Sequence, residues 1–264
     1  MLMADLGDIR LNYQLHGDPE GPPLVLIHAL GTDLRLWDKI LPLLPRGLRV
    51  LRYSLRGHGL SDAPNPPYPM GTLVRDAERL MEHVGMRDAL VVGLSIGGLV
   101  AQGLAVKRLD LVRALVLSNT ASKIGTAEIW RQRIALIEEK GLETIADATL
   151  ERWFPKAFRQ TDEARAWRHM VTRTPRHGYI GCAHAIAGTD FYTPTSGLRL
   201  PVLAIAGSED GSTPPDLVRE TADLVPGSRF HLIRGAGHLP CVDKPADYAE
   251  ALTAFIHETG HLAA

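Results

Sequence analysis

Short apolar runs recur along the chain, and most are separated by stretches whose apolar positions repeat with helical spacing. Residues 9–15 alternate apolar and polar side chains, as an exposed strand does. LVLIH at 24–28, RVLRYS at 49–54, residues 89–94, VRALVLS at 112–118, PVLAIAG at 201–207 and RFHLI at 229–233 complete a set of strands. Continuous apolar runs of this length suit strands covered on both faces by helices. The spacing predicts helices over 72–84, 96–108, 214–224 and 245–258, the third opened by Pro214-Pro215, which the first helical turn tolerates. Strand and helix in repeated alternation imply a mostly parallel sheet.

The middle of the chain breaks this rhythm. From about residue 123 to 192 no strand-like run occurs; helical patterns replace it and carry Trp130, Trp153 and Trp167, three of the four tryptophans. The predicted organisation is a core over 1–122 and 195–264, with an inserted helical block at 123–194. Such a block usually lies over the carboxyl ends of the strands, where open α/β sheets bind ligands.

With 264 residues, 45% hydrophobic and 22% charged, the chain suffices for one α/β core with an insertion. A net charge of −1 favours neither nucleic acid nor an anionic membrane as a partner. No apolar run approaches the roughly 20 residues of a membrane span, and residues 1–17 lack the basic and apolar regions of an export signal. Cys182 and Cys241 are far apart and read as free thiols of a cytoplasmic protein. No phosphate loop or cysteine cluster occurs, and the glycines of GLSIGG do not follow the dinucleotide-binding spacing, so no metal or cofactor is expected. Oligomeric state is not legible.

The chemistry centres on GLSIGG at 93–98, where an apolar run meets a helical pattern. Glycines two places to either side of Ser95 suit any tight strand-to-helix turn. They also suit a nucleophile elbow, which lifts a serine hydroxyl above the sheet. A serine nucleophile needs a base, and the base needs a group that fixes its tautomer. Candidates fall where later strands end: Glu209 and Asp210 after PVLAIAG, and His238 in the glycine-rich loop after RFHLI. Because three strand ends agree, the elbow is preferred, with Ser95, Asp210 and His238 as the set and Glu209 as rival acid. Oxyanion donors are expected at the backbone N–H of Ile96, which begins a helix, and of Leu30 in the loop after LVLIH. His28 reads as a hydrogen-bonded structural residue.

These features resemble the α/β-hydrolase superfamily over nearly the whole chain, including RGHGLSD at 56–62 after a strand. Several phrases are similar, more narrowly, to the 3-oxoadipate enol-lactonases of the β-ketoadipate pathway: LGTDLRLWD (30–38), RVLRYSLRGHG (49–59), LVLSNTASKIGTAEIWRQRI (115–134), ERWF (151–154) and GYIGCAHAIAGTDF (178–191). That resemblance implies an α/β-hydrolase fold with a helical cap, and a pocket lined by cap residues among which Trp130, Arg133 and Trp153 are candidates. It departs from the family pattern Tyr-Asp-x-Arg-Gly-His-Gly, in which an aspartate stands where this chain has Ser54.

The implied substrate is a small carboxylated enol-lactone, opened through an acyl-enzyme in aromatic-compound catabolism. Its remote carboxylate needs a cation in an apolar pocket, since burial unpaired costs several kcal/mol, roughly. Arg131 and Arg133 both stand beside Trp130; only Arg133, three residues on, shares its helix face. A general carboxylesterase, a carbon–carbon bond hydrolase or a perhydrolase would keep the same catalytic set and differ in the cap. A non-catalytic ligand receptor would have no need of an intact Ser95, Asp210 and His238.

Overall fold

A computed structural model describes residues 2–263. Eight strands form one sheet: β1 (Leu2–Asp5), β2 (Arg10–Gly17), β3 (Pro23–Ile27), β4 (Arg49–Tyr53), β5 (Ala89–Leu94), β6 (Val112–Ser118), β7 (Val202–Gly207) and β8 (Arg229–Ile233). Their order is β1-β2-β4-β3-β5-β6-β7-β8, with β1 and β2 antiparallel to their neighbours and the rest parallel. The helices are α1 (Met70–His83), α2 (Ile96–Lys107), α3 (Ala127–Lys140), α4 (Glu143–Trp153), α5 (Asp162–Arg173), α6 (Arg176–Ala187), α7 (Tyr192–Ser196), α8 (Pro215–Asp223), α9 (Pro240–Asp243) and α10 (Pro245–Glu258). Among the described residues no helix is long and apolar enough to cross a membrane.

Alternation along the inner strands explains why their runs read as uniformly apolar, whereas β8 at the far edge, expected to be covered on both faces, is largely exposed. Val25, Ile27, Val91 and Leu115 pack with α1 and α2 on one face. Leu24, Leu26, Leu90, Val92 and Val116 pack with Trp37 and α10 on the other. Successive side chains point to opposite faces, so a strand buried on both sides has no polar position to spare. The α8 helix covers Ala204 and Ala206 of β7.

Two expectations change at the sheet's first edge. The β1 strand has no counterpart in the sequence reading, because four residues around one buried Ala4 leave too short a pattern. Its pairing covers the outer edge of β2, so Leu11, Asn12 and Tyr13 are buried where an exposed strand is expected.

Helices α3 to α6 all fall between β6 and β7. The end of α4 is bonded to loops beyond two strands: Gly211 N–H donates to Arg152 O at 3.0 Å, and His238 N–H to Trp153 O at 2.7 Å. The inserted helices therefore lie over the carboxyl-terminal edge of the sheet.

Candidate active site

Ser95 lies between β5 and α2 with φ 58 and ψ −118. A non-glycine residue holds this left-handed conformation only where its surroundings enforce it. Ser95 N–H donates to Ser118 O at 3.0 Å, and Ser95 O accepts from Gly98 N–H at 2.9 Å and Thr120 Oγ1 at 2.7 Å. Both flanking glycines are required by close approach. A methyl group on Gly93 would come within 2.2 Å of Gly97 O, and one on Gly97 within 2.2 Å of Ile27 O. The chain thus turns tightly enough to lift the serine out of the strand.

His238 and Asp210 meet at the ends of β8 and β7. Nδ1 of His238 lies 2.8 Å from Asp210 Oδ2, and both residues are buried. Nδ1–H donating to the carboxylate leaves Nε2 as the basic nitrogen. Glu209, the rival by spacing, is exposed and makes no such bond. Asp210 is bound on every side: Asn119 Nδ2 and Thr213 Oγ1 donate to Oδ2 at 2.9 and 2.8 Å, and the Ser212 and Thr213 N–H groups donate to Oδ1. Burial alone would raise its pKa, but His238 and these donors more than offset that and hold it below the usual carboxylate value. No hydrogen bond joins Ser95 Oγ to His238 or to any other of the described residues.

Two backbone N–H groups, in the turns beyond β3 and β5, are also free. Those of Leu30 and Ile96 are buried and donate to no acceptor among the described residues. Ile96 opens α2, so its N–H sits at the positive end of a helix dipole. The Leu30 loop is pinned by two buried histidines. Leu55 N–H donates to His28 Nε2 at 2.8 Å while His28 Nδ1 bonds Ala29 O at 2.7 Å. Gly31 N–H donates to His58 Nε2 at 3.0 Å. His28 is thus structural, and His58 of the RGHG run serves the same loop. Ser54 is fully buried; its hydroxyl accepts a long bond from Leu34 N–H at 3.5 Å.

From the inserted helices, Trp130 and Arg133 share one face of α3, with the Arg133 guanidinium 5.9 Å from the Trp130 ring. Arg133 Nε and Nη2 donate to Tyr179 Oη at 3.0 and 2.8 Å, and Nη2 donates to Thr149 Oγ1 at 2.8 Å. Among the described residues no carboxylate pairs with it. Arg131, by contrast, is exposed and pairs with Glu128 at 2.7 Å. Tyr179 and Trp153 close over the Leu30 loop: a methyl group on Gly31 would lie 3.1 Å from Tyr179 Cε2 and 3.7 Å from Trp153 Cη2. Trp153 is itself almost wholly buried, edge-on against Phe154. A cavity of about 850 Å³ lies beside α5 and includes Thr32, Asp33 and Trp167 but none of Ser95, Asp210 or His238. Free donors, a strained serine and a bonded His–Asp pair mark the chemistry more specifically than volume does.

The chain matches the alpha/beta hydrolase family over residues 24–251. It belongs to that family. Among curated relatives, 3-oxoadipate enol-lactonase 2 of Acinetobacter baylyi is 30% identical across 94% of this chain and 93% of its own. The crystal structure of the enol-lactonase from Burkholderia xenovorans superposes with a TM-score of 0.93 at 31% identity, covering 97% of this chain and 99% of that one. A hydrolase from Pseudomonas aeruginosa superposes at 0.92 with 35% identity, covering 97% of both.

Several residues of this hydrolase's site escape sequence reading. Asn119 bonds Asp210 Oδ2 and, at 3.2 Å, Gly237 O beside His238, from a positive φ of 46 that asparagine tolerates. Asn119→Ala should lower kcat by about 10–100-fold with little change in KM, the size of a lost hydrogen bond to a charged group. Unchanged kcat in steady-state assays would remove Asn119 from the account. Thr213, Tyr179 and Arg152 likewise carry no local signature. No His-x-x-x-His pair is expected from the sequence reading, yet His257 and His261 have that spacing; α10 ends between them and each ring bonds a carbonyl, Leu262 O and Pro23 O respectively.

Burial depresses the pKa of His28 to about 4 and, with the nearby His28, that of His58 to about 3. Both are neutral when folded, whereas unfolded histidine titrates near 6.5. The unfolded chain therefore binds more protons below pH 6.5, so stability present above that pH falls as acid is added. Denaturant titrations from pH 7.5 to 4 should lose on the order of 3 kcal/mol from His28 alone. Asp243, whose carboxyl is pushed up to about 7 by burial, contributes in the opposite sense over the same range, so the rings themselves are the test. An imidazole NMR titration of His28 near pH 6.5 in the folded protein would mean that it is not buried neutral.

Proposed function

We propose that this hydrolase opens a small enol-lactone bearing a free carboxylate, such as 3-oxoadipate enol-lactone, through Ser95, His238 and Asp210. His238 Nε2 takes the Ser95 proton as Oγ attacks the ring carbonyl. The Leu30 and Ile96 N–H groups, otherwise unpaired, receive the resulting oxyanion. Collapse breaks the ring C–O bond and releases an enolate, a better leaving group than a simple alkoxide, which takes up a proton and becomes the ketone. Because the ester is cyclic, nothing departs, and the whole molecule stays attached to Ser95. Water activated by His238 then cleaves the acyl-enzyme, giving a 3-oxo dicarboxylic acid. Asp210 remains ionised and steadies the imidazolium.

The observation that carries the substrate assignment is Arg133. It is a half-buried guanidinium without a carboxylate partner, flanked by Trp130 and joined through Tyr179 to the loop of Leu30. Trp130 and Trp153 supply apolar walls, and residues 123–194 act as the cap that brings these groups together. Similarity to two enol-lactonases supports the same reading and, with it, a role in aromatic-compound breakdown.

Incubation of the protein with the enol-lactone, followed by proton NMR, tests the assignment. The expected product is the ring-opened 3-oxo dicarboxylate, formed far faster than by buffer. Lactone left intact while simple aryl esters are cleaved would make this a general esterase instead.

A further inference from the structure

Thr149 on α4 accepts hydrogen bonds from two guanidiniums, Arg133 Nη2 at 2.8 Å and Arg152 Nη2 at 3.4 Å. Two cations sharing one hydroxyl must lie within the reach of two hydrogen bonds. Neither forms an ion pair among the described residues, although Arg131, Arg159 and Arg168 on the same helical insertion all do. Among the described residues Arg152 makes only that one long side-chain bond, so most of its five donors have no protein acceptor there. Burial, and after it the charge of Arg133, depresses the pKa of Arg152. Like charges this close repel, and an anion joining the pair relieves that repulsion.

The pair also has a defined address. Arg133 reaches the Leu30 loop through Tyr179, whose ring lies over Gly31. Arg152 is fixed from the other side, its carbonyl accepting from Gly211 N–H immediately after Asp210. The residues that carry the two guanidiniums are thus anchored to the oxyanion loop and to the acid loop. A guanidinium fork matches the planar geometry of a carboxylate, and two forks can hold both oxygens.

We propose that Arg152 is the second arm of a carboxylate clamp: Arg133 and Arg152 together bind the free carboxylate of a small ester or lactone and set the preference for anionic over neutral substrates. The inference rests on the carboxylated-substrate reading above and adds a residue to it. Thr149 orients both arms.

Arg152→Met keeps the backbone bond to Gly211 and the apolar stem while removing the charge. In the full-length protein it should raise KM for the carboxylated lactone by about 10–100-fold, with kcat changed only fewfold. Phenyl acetate turnover should fall far less than lactone turnover. Butanoate should inhibit phenyl acetate hydrolysis better than butanamide does in the wild type, and Arg152→Met should erase most of that difference. Arg152→Lys should recover part of it. If Arg133→Met separates the two substrates but Arg152→Met affects both alike, or neither, Arg152 only braces the insertion and the clamp is refuted. If neither variant separates them and butanoate is no better than butanamide, the carboxylated-substrate reading itself fails.

Discussion

Ser95→Ala and His238→Ala should each lower kcat by roughly 10⁶, the loss typical when a serine nucleophile or its base is removed. The geometry makes these losses nearly equal. Serine without base has no means of shedding its proton, and His238 without serine activates only a water that is not held for attack. Residual turnover should come from the Leu30 and Ile96 N–H groups, which survive both substitutions. Asp210→Asn should lose less, because Thr213 Oγ1, 3.3 Å from His238 Nδ1, still helps to hold the ring. Glu209→Gln should be close to neutral, since that side chain is exposed. Steady-state kinetics on any activated ester check all four variants. Heavy loss in Glu209→Gln with little in Asp210→Asn would overturn the acid assignment.

Arg133→Met should lower kcat/KM for the carboxylated lactone by about 10²–10³, the scale of a lost charge-assisted bond to a carboxylate. Methionine preserves the stem that packs between Trp130 and Tyr179, so the loss isolates the charge. The same variant should hydrolyse a neutral aryl acetate almost normally, because Arg133 makes no bond to Ser95, Asp210 or His238. Equal losses on both substrates would indicate instead that Tyr179, deprived of its donor, no longer supports the Gly31 loop. Loss on neither would assign the carboxylate to another cation, or to no cation.

The parts of this structure legible in the sequence are those with a local cause. A strand such as β5 begins and ends where its apolar run does, because burial on both faces leaves an unbroken pattern. GLSIGG announces a sharp turn because Gly93 and Gly97 have no room for a side chain. The loop after β8 is short and glycine-rich, which narrows eleven histidines to His238. Arg133 and Arg131 separate by helical phase, and α3 turns the former inward and the latter outward. What stays hidden is tertiary. Asn119 and Asp210 are 91 residues apart and meet only because β6 and β7 are neighbours. Arg152 lies at the end of a helix whose docking on the Gly211 and His238 loops has no periodic signature. His58 lies within a recognisable motif, but its bond to Gly31 crosses from one strand's end to another's. Ser54 is readable as a polar residue ending an apolar run, yet its outcome, a buried hydroxyl facing Leu34 N–H, requires the fold.

The central claim is that this site is built for a small lactone carrying a negative charge. It is tested most directly by kcat/KM for the carboxymethyl enol-lactone beside that for phenyl acetate, measured on the same wild-type preparation. With Arg133 worth about 10²–10³ on the charged substrate alone, the lactone should be preferred by at least that factor. A preference of only a fewfold, or one favouring phenyl acetate, would contradict the account and leave a general esterase on the same scaffold.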